Sequence, residues 1–544
     1  MSLATVRPQM AASACPRVLF LPELLEHIAE MLRIEDQQES VLNLALTCKT
    51  MRNSPLSVLW KKMYGLHDLL KTLPPDCWRV RERSDETEVL ELLPQAYRGA
   101  RSERFQIYAR YIKHIVWRPL EDSEISLRSL YRFIHKARAQ NLTLLPAVRF
   151  IHWSSERERL AALPYMLTVP GPFLRRFSIT HWADDFSESI DALLKQCCAL
   201  TTLRLRANLK TPADSLFNTL DESTIERLNL HYFSTTLCLT WKVIRTLASM
   251  SHLKSATFRT TAQLLETMTF EGDWFPALER LNIHLDVLSN STSAFLGSIR
   301  SPALRSVHIF LMGHPSSGIL SSHLQVLARH ALREFLLRVT WQDTGRRYVQ
   351  SLITTDSLQH LFTISTLEVI RFDMDDFEVS HDMVDAVIKK IPGIKHLKFM
   401  SAGVPSSPPT LVTLAQLATS CPALEKIEMP IDTRLIPDLP AGFHSTSPVV
   451  RLDLGPADSI HPATGVSAYL RKLFPSLKYF DLDADCNIEE EPQRTWEIEM
   501  HNLGTLRDSD SQVVEQKMKK REEEDDWGHE DEEEKEREQD EERY

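Results

Sequence analysis

Apolar residues recur along this chain in one local order: apolar, two variable, apolar, one variable, apolar. The first position of that order falls at Val148, Leu174, Leu200, Ile225, Leu253, Leu278, Leu304, Leu332, Leu367, Ile394, Leu424, Val449 and Leu477. Successive first positions lie 25 to 30 residues apart, with a single interval of 35. All thirteen copies keep an apolar residue at offsets three and five, Ala256 being the smallest. Side chains alternate along a strand, so offsets three and five share one face, and that face becomes the core. Offsets two, four and six then share the opposite face. In seven copies a proline stands two places before the first position, at 146, 172, 276, 302, 392, 422 and 475. It is expected to stop the preceding helix and release the chain into the strand. Between these strands, segments such as SSHLQVLARHALREFL from Ser321 and HDMVDAVIKKI from His381 carry apolar residues at helical spacing.

Each copy therefore reads as a strand followed by a helix. One such unit cannot bury its own apolar face, so stacking must supply the core. An open parallel sheet of an ordinary α/β domain rarely exceeds about ten strands, which favours a repeat array. The pattern resembles the leucine-rich-repeat family over residues 145–490, with a degenerate first unit at Ile112, Ile115 and Trp117. Members of that family often bond the backbone at the turn with Asn or Cys at offset eight. Here Asn208 matches, and Asp286, Asp375, Asp432 and Asp485 are possible substitutes. The resemblance implies an α/β class and a curved solenoid of about thirteen strand-helix units, with strands lining the inner side.

Upstream, Leu24, Leu25, Ile28 and Leu32 fall on one face of a predicted helix from Glu23 to Leu32. Val41, Leu44, Ala45 and Cys48 do the same on a second. With Leu21-Pro22 before them and Leu59-Trp60 after, residues 18–62 resemble an F-box, although Met51 stands where an aromatic residue is usual. The resemblance implies docking to the Skp-type adaptor of a cullin ubiquitin ligase through Leu21, Pro22, Leu25, Ile28, Leu44, Leu59 and Trp60. Several of these must also serve the module's own core. A plain helical cap on the first repeat is the competing reading. Residues 1–17 are expected to form a flexible N-terminus, and 63–144 a helical linker carrying the degenerate repeat.

The chain has 544 residues and a net charge of −11, but the charge is not spread evenly. Residues 521–544 hold fifteen acidic against four basic side chains, leaving 59 of each sign elsewhere. Within the C-terminal segment 491–544, that stretch is expected to be a disordered acidic tail. A neutral body argues against nucleic acid or membrane as a partner. No stretch approaches the roughly 20 apolar residues of a membrane span, and the expected location is cytoplasmic, nuclear or both. Eight scattered cysteines without a CxxC pair give no zinc site or disulfide framework. No phosphate loop, GxGxxG turn, GxSxG elbow or HExxH helix occurs, so neither an enzyme nor a cofactor is expected.

A protein target is expected on the inner face. From Val148 to Leu278, offsets two, four and six include Arg176, Arg204, Arg206, Arg227, Arg259 and Arg280 and no acidic residue. Arginine favours carboxylate and phosphate partners. The sign reverses in the last two copies, which contribute Asp453, Asp481 and Asp483. Together these features predict a non-catalytic adaptor that holds a protein target for ubiquitination, or a repeat scaffold without a ligase link.

Overall fold

The computed structural model describes residues 21–34, 38–47, 49–82, 88–117, 123–154, 171–182, 187–207, 225–339, 353–374, 377, 379–400, 407–440, 443–454 and 465–481. The expected flexible N-terminus and acidic tail lie outside them. The chain divides into two units, Met1–Leu304 and Arg305–Tyr544.

The first unit begins with three helices: α1 (Pro22–Ile34), α2 (Gln38–Thr47) and α3 (Asn53–Lys61). Ala29, Val41 and Val58 form their shared core, with Leu32, Leu44 and Leu59 packed against it. Lys61 Nζ donates to Glu30 Oε1 at 2.9 Å, tying the end of α3 to α1. The chain then passes directly into a strand, β1 (Lys62–Tyr64). A small sheet follows, in which β2 (Trp78–Glu82) pairs antiparallel with β3 (Glu88–Leu92), and β3 pairs parallel with β5 (Ser123–Ile125).

The remaining strands of the unit form a parallel ladder with β1. In order they are β4 (His114–Trp117), β6 (Phe150–Trp153), β7 (Arg176–Trp182), β8 (Thr202–Ala207), β9 (Tyr232–Cys238), β10 (Ser255–Arg259) and β11 (Arg280–Leu285). The second unit continues the same construction in β12 (Ser306–Leu311), β13 (Glu334–Val339), β14 (Val369–Asp373), β15 (His396–Met400), β16 (Lys426–Glu428), β17 (Arg451–Asp453) and β18 (Tyr479–Asp481). Among the described residues the ladders thus hold eight strands and seven, two more than the thirteen copies counted from the pattern. The extra strands are β1, whose sequence KMY lacks the apolar signature, and β4, the degenerate unit.

Offsets three and five are buried in register. Ala256 pairs with Leu281 and Phe258 with Ile283, while Phe335, Ile370, Leu397, Ile427, Leu452 and Phe480 form one continuous row in the second unit. All of the first five in that row are fully enclosed. Phe372 packs against Phe335, Phe377 and Phe399 at ring separations of 5.3 to 5.8 Å. The prolines at 146, 172, 276, 302, 392, 422 and 475 each open a two-residue turn just before the first apolar residue. In that turn Leu278 N donates to Phe275 O and Leu424 N to Cys421 O, which places proline where its fixed φ suits a β-turn. At offset eight, Asp286 Oδ1 accepts from the amides of Ala262 and Val287, and Asp432 Oδ1 from that of Arg434. Asn208, Asp375 and Asp485 lie outside the described residues. The helix expected from Ser321 spans Ser317–Leu327, and the rest of its apolar run is turn and β13.

One strand departs from the expected register. Tyr232, not Arg227, is the partner of Thr202, so the first position of this copy is Leu230 and the intervals around it are 30 and 23 residues. Ile225, Leu228 and Leu230 are all buried, but they precede the strand. Offset five is then Thr235, a polar residue that an apolar pattern passes over. Its hydroxyl accepts the Leu237 amide at 3.1 Å, next to the point where the β9–β10 register shifts. This local bond explains why threonine is accommodated in a buried position. Phe233→Ala is therefore expected to cost roughly 3–5 kcal/mol in urea unfolding, and Arg227→Ala less than about 0.5 kcal/mol. Similar losses for the two variants would contradict the register.

Candidate interaction surfaces

Two surfaces carry side chains whose placement packing alone does not require. The first is the outer side of α1 and α2. Leu21, Met31 and Leu42 are 50%, 50% and 44% exposed, and Leu46 is 70% exposed. Leu42 and Leu46 stand one turn apart, so they share a side of α2. Among the sequence-derived docking residues, Leu21 and Pro22 are exposed and Ile28 is half-exposed. Leu25 is enclosed in the helical core, because it occupies the inward face of α1. Leu44 and Leu59 pack against that core. Trp60 is half-buried and lies on Tyr108, ring centroids 4.4 Å apart, so it belongs to the junction with the helix Glu103–Tyr111. Met31, Leu42 and Leu46 were absent from the sequence-derived set. Their signal is nonetheless present: they are large apolar residues off the buried stripe of an amphipathic helix.

The second surface is the inner face of the first ladder. Offset two reads His114, Phe150, Arg176, Thr202, Tyr232, Ser255 and Arg280 across successive strands. Offset four reads Val116, His152, Ser178, Arg204, Ser234, Thr257 and Asn282. Arg206 and Arg259 stand two residues further along β8 and β10, so five of the six proposed arginines share this face. Arg227 does not: it is exposed in the turn before β9, a consequence of the shifted register. No acidic residue occupies the described inner positions of this ladder. Burial pushes the His114 imidazole down to about 4, aided by the charges of Lys61, Arg176, Lys62 and Arg33. Burial and Arg259 do the same to His284, also to about 4. Both of these rings are neutral at pH 7.

The small side chains between the arginines are buried, contrary to a uniformly solvated inner face. Ser178, Thr202, Ser234, Ser255 and Thr257 are all enclosed. Adjacent strands are only about 4.8 Å apart, so longer neighbours close over short ones. Asn282 Nδ2 donates to Thr257 Oγ1 at 3.2 Å, but Thr202 Oγ1 and Ser234 Oγ make no hydrogen bond among the described residues. A buried hydroxyl left so costs roughly 1–3 kcal/mol.

The inner face of the second ladder is different. Ser306 Oγ donates to Glu334 Oε2 at 3.0 Å, and His308 Nε2 lies 3.3 Å from Glu334 Oε1. Arg338 pairs with Asp373 at 3.0 Å, and Lys398 bridges Asp373 and Glu428 at 3.7 and 3.3 Å. Arg371 Nε donates to His396 Nδ1, which leaves the proton on Nε2 to be donated to Glu428 Oε1 at 3.2 Å. Acids and bases thus alternate and satisfy one another. Burial raises the Glu428 carboxyl, but the His396 hydrogen bond and the charges of Lys398, His396 and Arg451 outweigh it and hold the group well below the carboxylate range. Glu334 is similarly held at about 2: burial opposes, while His308, Arg371 and Ser306 prevail. Among the described residues, no group of three or more His, Cys, Asp or Glu could hold a metal, and no helix is long and apolar enough to cross a membrane.

Neither the protein-family models nor the curated proteins include a match to this chain. Among solved structures, a leucine-rich-repeat protein of Leptospira interrogans is similar at 11% identity and a TM-score of 0.37, over 77% of this chain and 99% of that one.

A depressed carboxyl contributes stability that is complete above its unfolded value and lost as pH falls through the folded one. Lys398→Met is accordingly expected to lower the melting temperature most above pH ~5, with the difference from wild type shrinking as the pH falls below the ordinary carboxylate range. A difference that stays constant down to the acid limit would show that Lys398 does not stabilise ionised Glu428.

Proposed function

We propose that this protein is a non-catalytic substrate-recognition adaptor of a Skp-cullin-F-box ubiquitin ligase. In this reading α1–α3 are the F-box and grip the Skp-type adaptor. The inner face of the first ladder holds a protein target. The observation that carries the reading is the apolar set of Leu21, Met31, Leu42 and Leu46, exposed on a module whose core is already filled by Ala29, Val41 and Val58. Exposed apolar side chains of this size are costly in water and mark protein contacts. A helical cap has no use for them, since a cap needs only the side that faces the ladder. The basic residues of the first ladder's inner face, where no acid occupies the described inner positions, support a target with acidic chemistry. Such an adaptor has no reaction of its own, requires no cofactor, and would work in the cytoplasm, the nucleus or both.

A second reading, a repeat interaction scaffold without a ligase link, draws on one observation. Trp60, the closing residue of the F-box resemblance, is engaged with Tyr108 at the start of the ladder, as in a cap. The two readings part at the adaptor. Met31→Glu with Leu46→Glu is expected to abolish capture of a Skp-type adaptor by the full chain, with the melting temperature unchanged within a few degrees. Undiminished capture by the folded double variant, or no capture by the wild type, would leave the scaffold reading standing.

A further inference from the structure

The small sheet of the first unit has one edge that the described residues leave open. β3 is held on both sides. β2 pairs with it antiparallel, while on the other side β5 pairs with it, Ser126 N donates to Leu90 O and Leu92 N donates to Ser129 Oγ. β2 has β3 alone. Leu93 N donates to Cys77 O at 2.8 Å, and this bond sets the phase of the pair. Bonded positions alternate in an antiparallel ladder, so Cys77, Arg79 and Arg81 turn their backbone groups to β3, and Trp78, Val80 and Glu82 turn theirs outward. No hydrogen bond to those outward amides and carbonyls is formed among the described residues. Val80 is 39% exposed, and Arg79 and Arg81 are exposed on the other face of the strand. Both guanidiniums converge on the Glu91 carboxylate, at 2.7 and 2.9 Å, so two positive charges meet one negative.

We propose that β2 accepts an extended segment of a partner protein as a further antiparallel strand, with an apolar residue opposite Val80 and acidic residues on either side of it, opposite Arg79 and Arg81. The affinity comes from backbone pairing along the open edge. Arg79 and Arg81 keep Glu91 and select the partner through the charge that one carboxylate leaves unbalanced. β3 already shows the matching pattern, with Glu91 opposite Arg79 and Leu90 opposite Val80. In the added pair, Val80 and the apolar residue exchange the hydrogen bonds, and the acids occupy the non-bonded positions, where Cα atoms are about 4.5 Å apart and side chains lie closest. A second copy of the chain is the wrong occupant. Self-pairing about Val80 sets Arg79 of one copy against Arg81 of the other, and like charges directly opposite are destabilising. This edge uses none of the residues assigned to the Skp-type adaptor or to the inner-face target, so it stands apart from the ligase reading.

The test uses the full chain and a labelled peptide with Glu-Val-Glu between Thr-Ser flanks, read by fluorescence anisotropy. Gln-Val-Gln and Lys-Val-Lys peptides are the charge controls, and a Glu-Val-Glu peptide N-methylated at Val lacks the central donor. The expected result is binding of Glu-Val-Glu at least about fivefold tighter than Gln-Val-Gln, from two cross-strand charge pairs, with Lys-Val-Lys weaker still. The N-methylated peptide should not bind. Arg79→Gln with Arg81→Gln should erase the preference for Glu over Gln. Val80→Pro removes a donor that β3 does not use, so the variant should melt like the wild type and lose the peptide. No binding of Glu-Val-Glu, equal binding of Gln-Val-Gln, undiminished binding of the N-methylated peptide, or binding that survives Val80→Pro would each overturn the proposal. Sedimentation supplies the remaining arm: a wild-type dimer that Val80→Pro dissociates would give the edge to a second copy and overturn it too. The N-methylated peptide keeps the test decisive if Val80→Pro fails to fold.

Discussion

A strand as short as β16 or β18, three residues each, leaves backbone donors and acceptors open along both edges and an apolar face open to water. Neither deficit can be met within its own repeat. In-register parallel pairing meets both at once, since each strand is hydrogen-bonded by its neighbours while offsets three and five are enclosed by the flanking rows. The whole arrangement within each unit depends on that pairing. A shift of one residue would turn every core side chain outward, so the register is strongly held wherever the row is apolar. Once it is held, offsets two, four and six have no freedom of placement. The inner face becomes a grid with about 4.8 Å between strands, on which a residue's position in the repeat decides its neighbours.

The two ladders use that grid in opposite ways. In the second, Glu334, Asp373 and Glu428 meet His308, Arg338, Lys398 and His396 within hydrogen-bonding or ion-pair range. Burying charges in this way is tolerable only because each is matched, and a matched network offers little net charge to an outside partner. In the first, Arg176, Arg204, Arg206, Arg259 and Arg280 occupy the same face with no acid among the described inner positions. Burial, with neighbouring cations, depresses the His114 and His284 imidazoles on that face. The proposed division of labour follows: the second ladder is structural, and the first recognises.

Most of the repeat was legible because its physics is periodic. The offsets of the core rows, the proline-led turns and the helix at His381 can all be read from spacing and residue type. What escaped did so for local reasons. β9 was displaced because Leu230-His-Tyr-Phe233-Ser-Thr235 ends on a polar residue, whereas Ile225, Leu228 and Leu230 satisfied the apolar rule and gave more even intervals. Arg227 was carried onto the inner face by that choice. β1 was invisible because three residues of Lys-Met-Tyr contain one apolar position. On the helical module, a search for the buried stripe finds Leu25 and Leu44, which the fold uses internally, and passes over Met31, Leu42 and Leu46, which it leaves outside. Burial of Thr202 and Ser234 depends on the size of neighbours on the adjacent strands, about thirty residues away in sequence, so no local pattern carries it.

The central claim is that the outer side of α1 and α2 is a docking surface for a Skp-type adaptor. Hydrogen–deuterium exchange of the full chain, with and without that adaptor, tests it most directly. Slowed exchange is expected to be concentrated in residues 21–47, with none on strands β6 to β11. Unchanged exchange across residues 21–47 at saturating adaptor, or protection confined to the ladder, would contradict it.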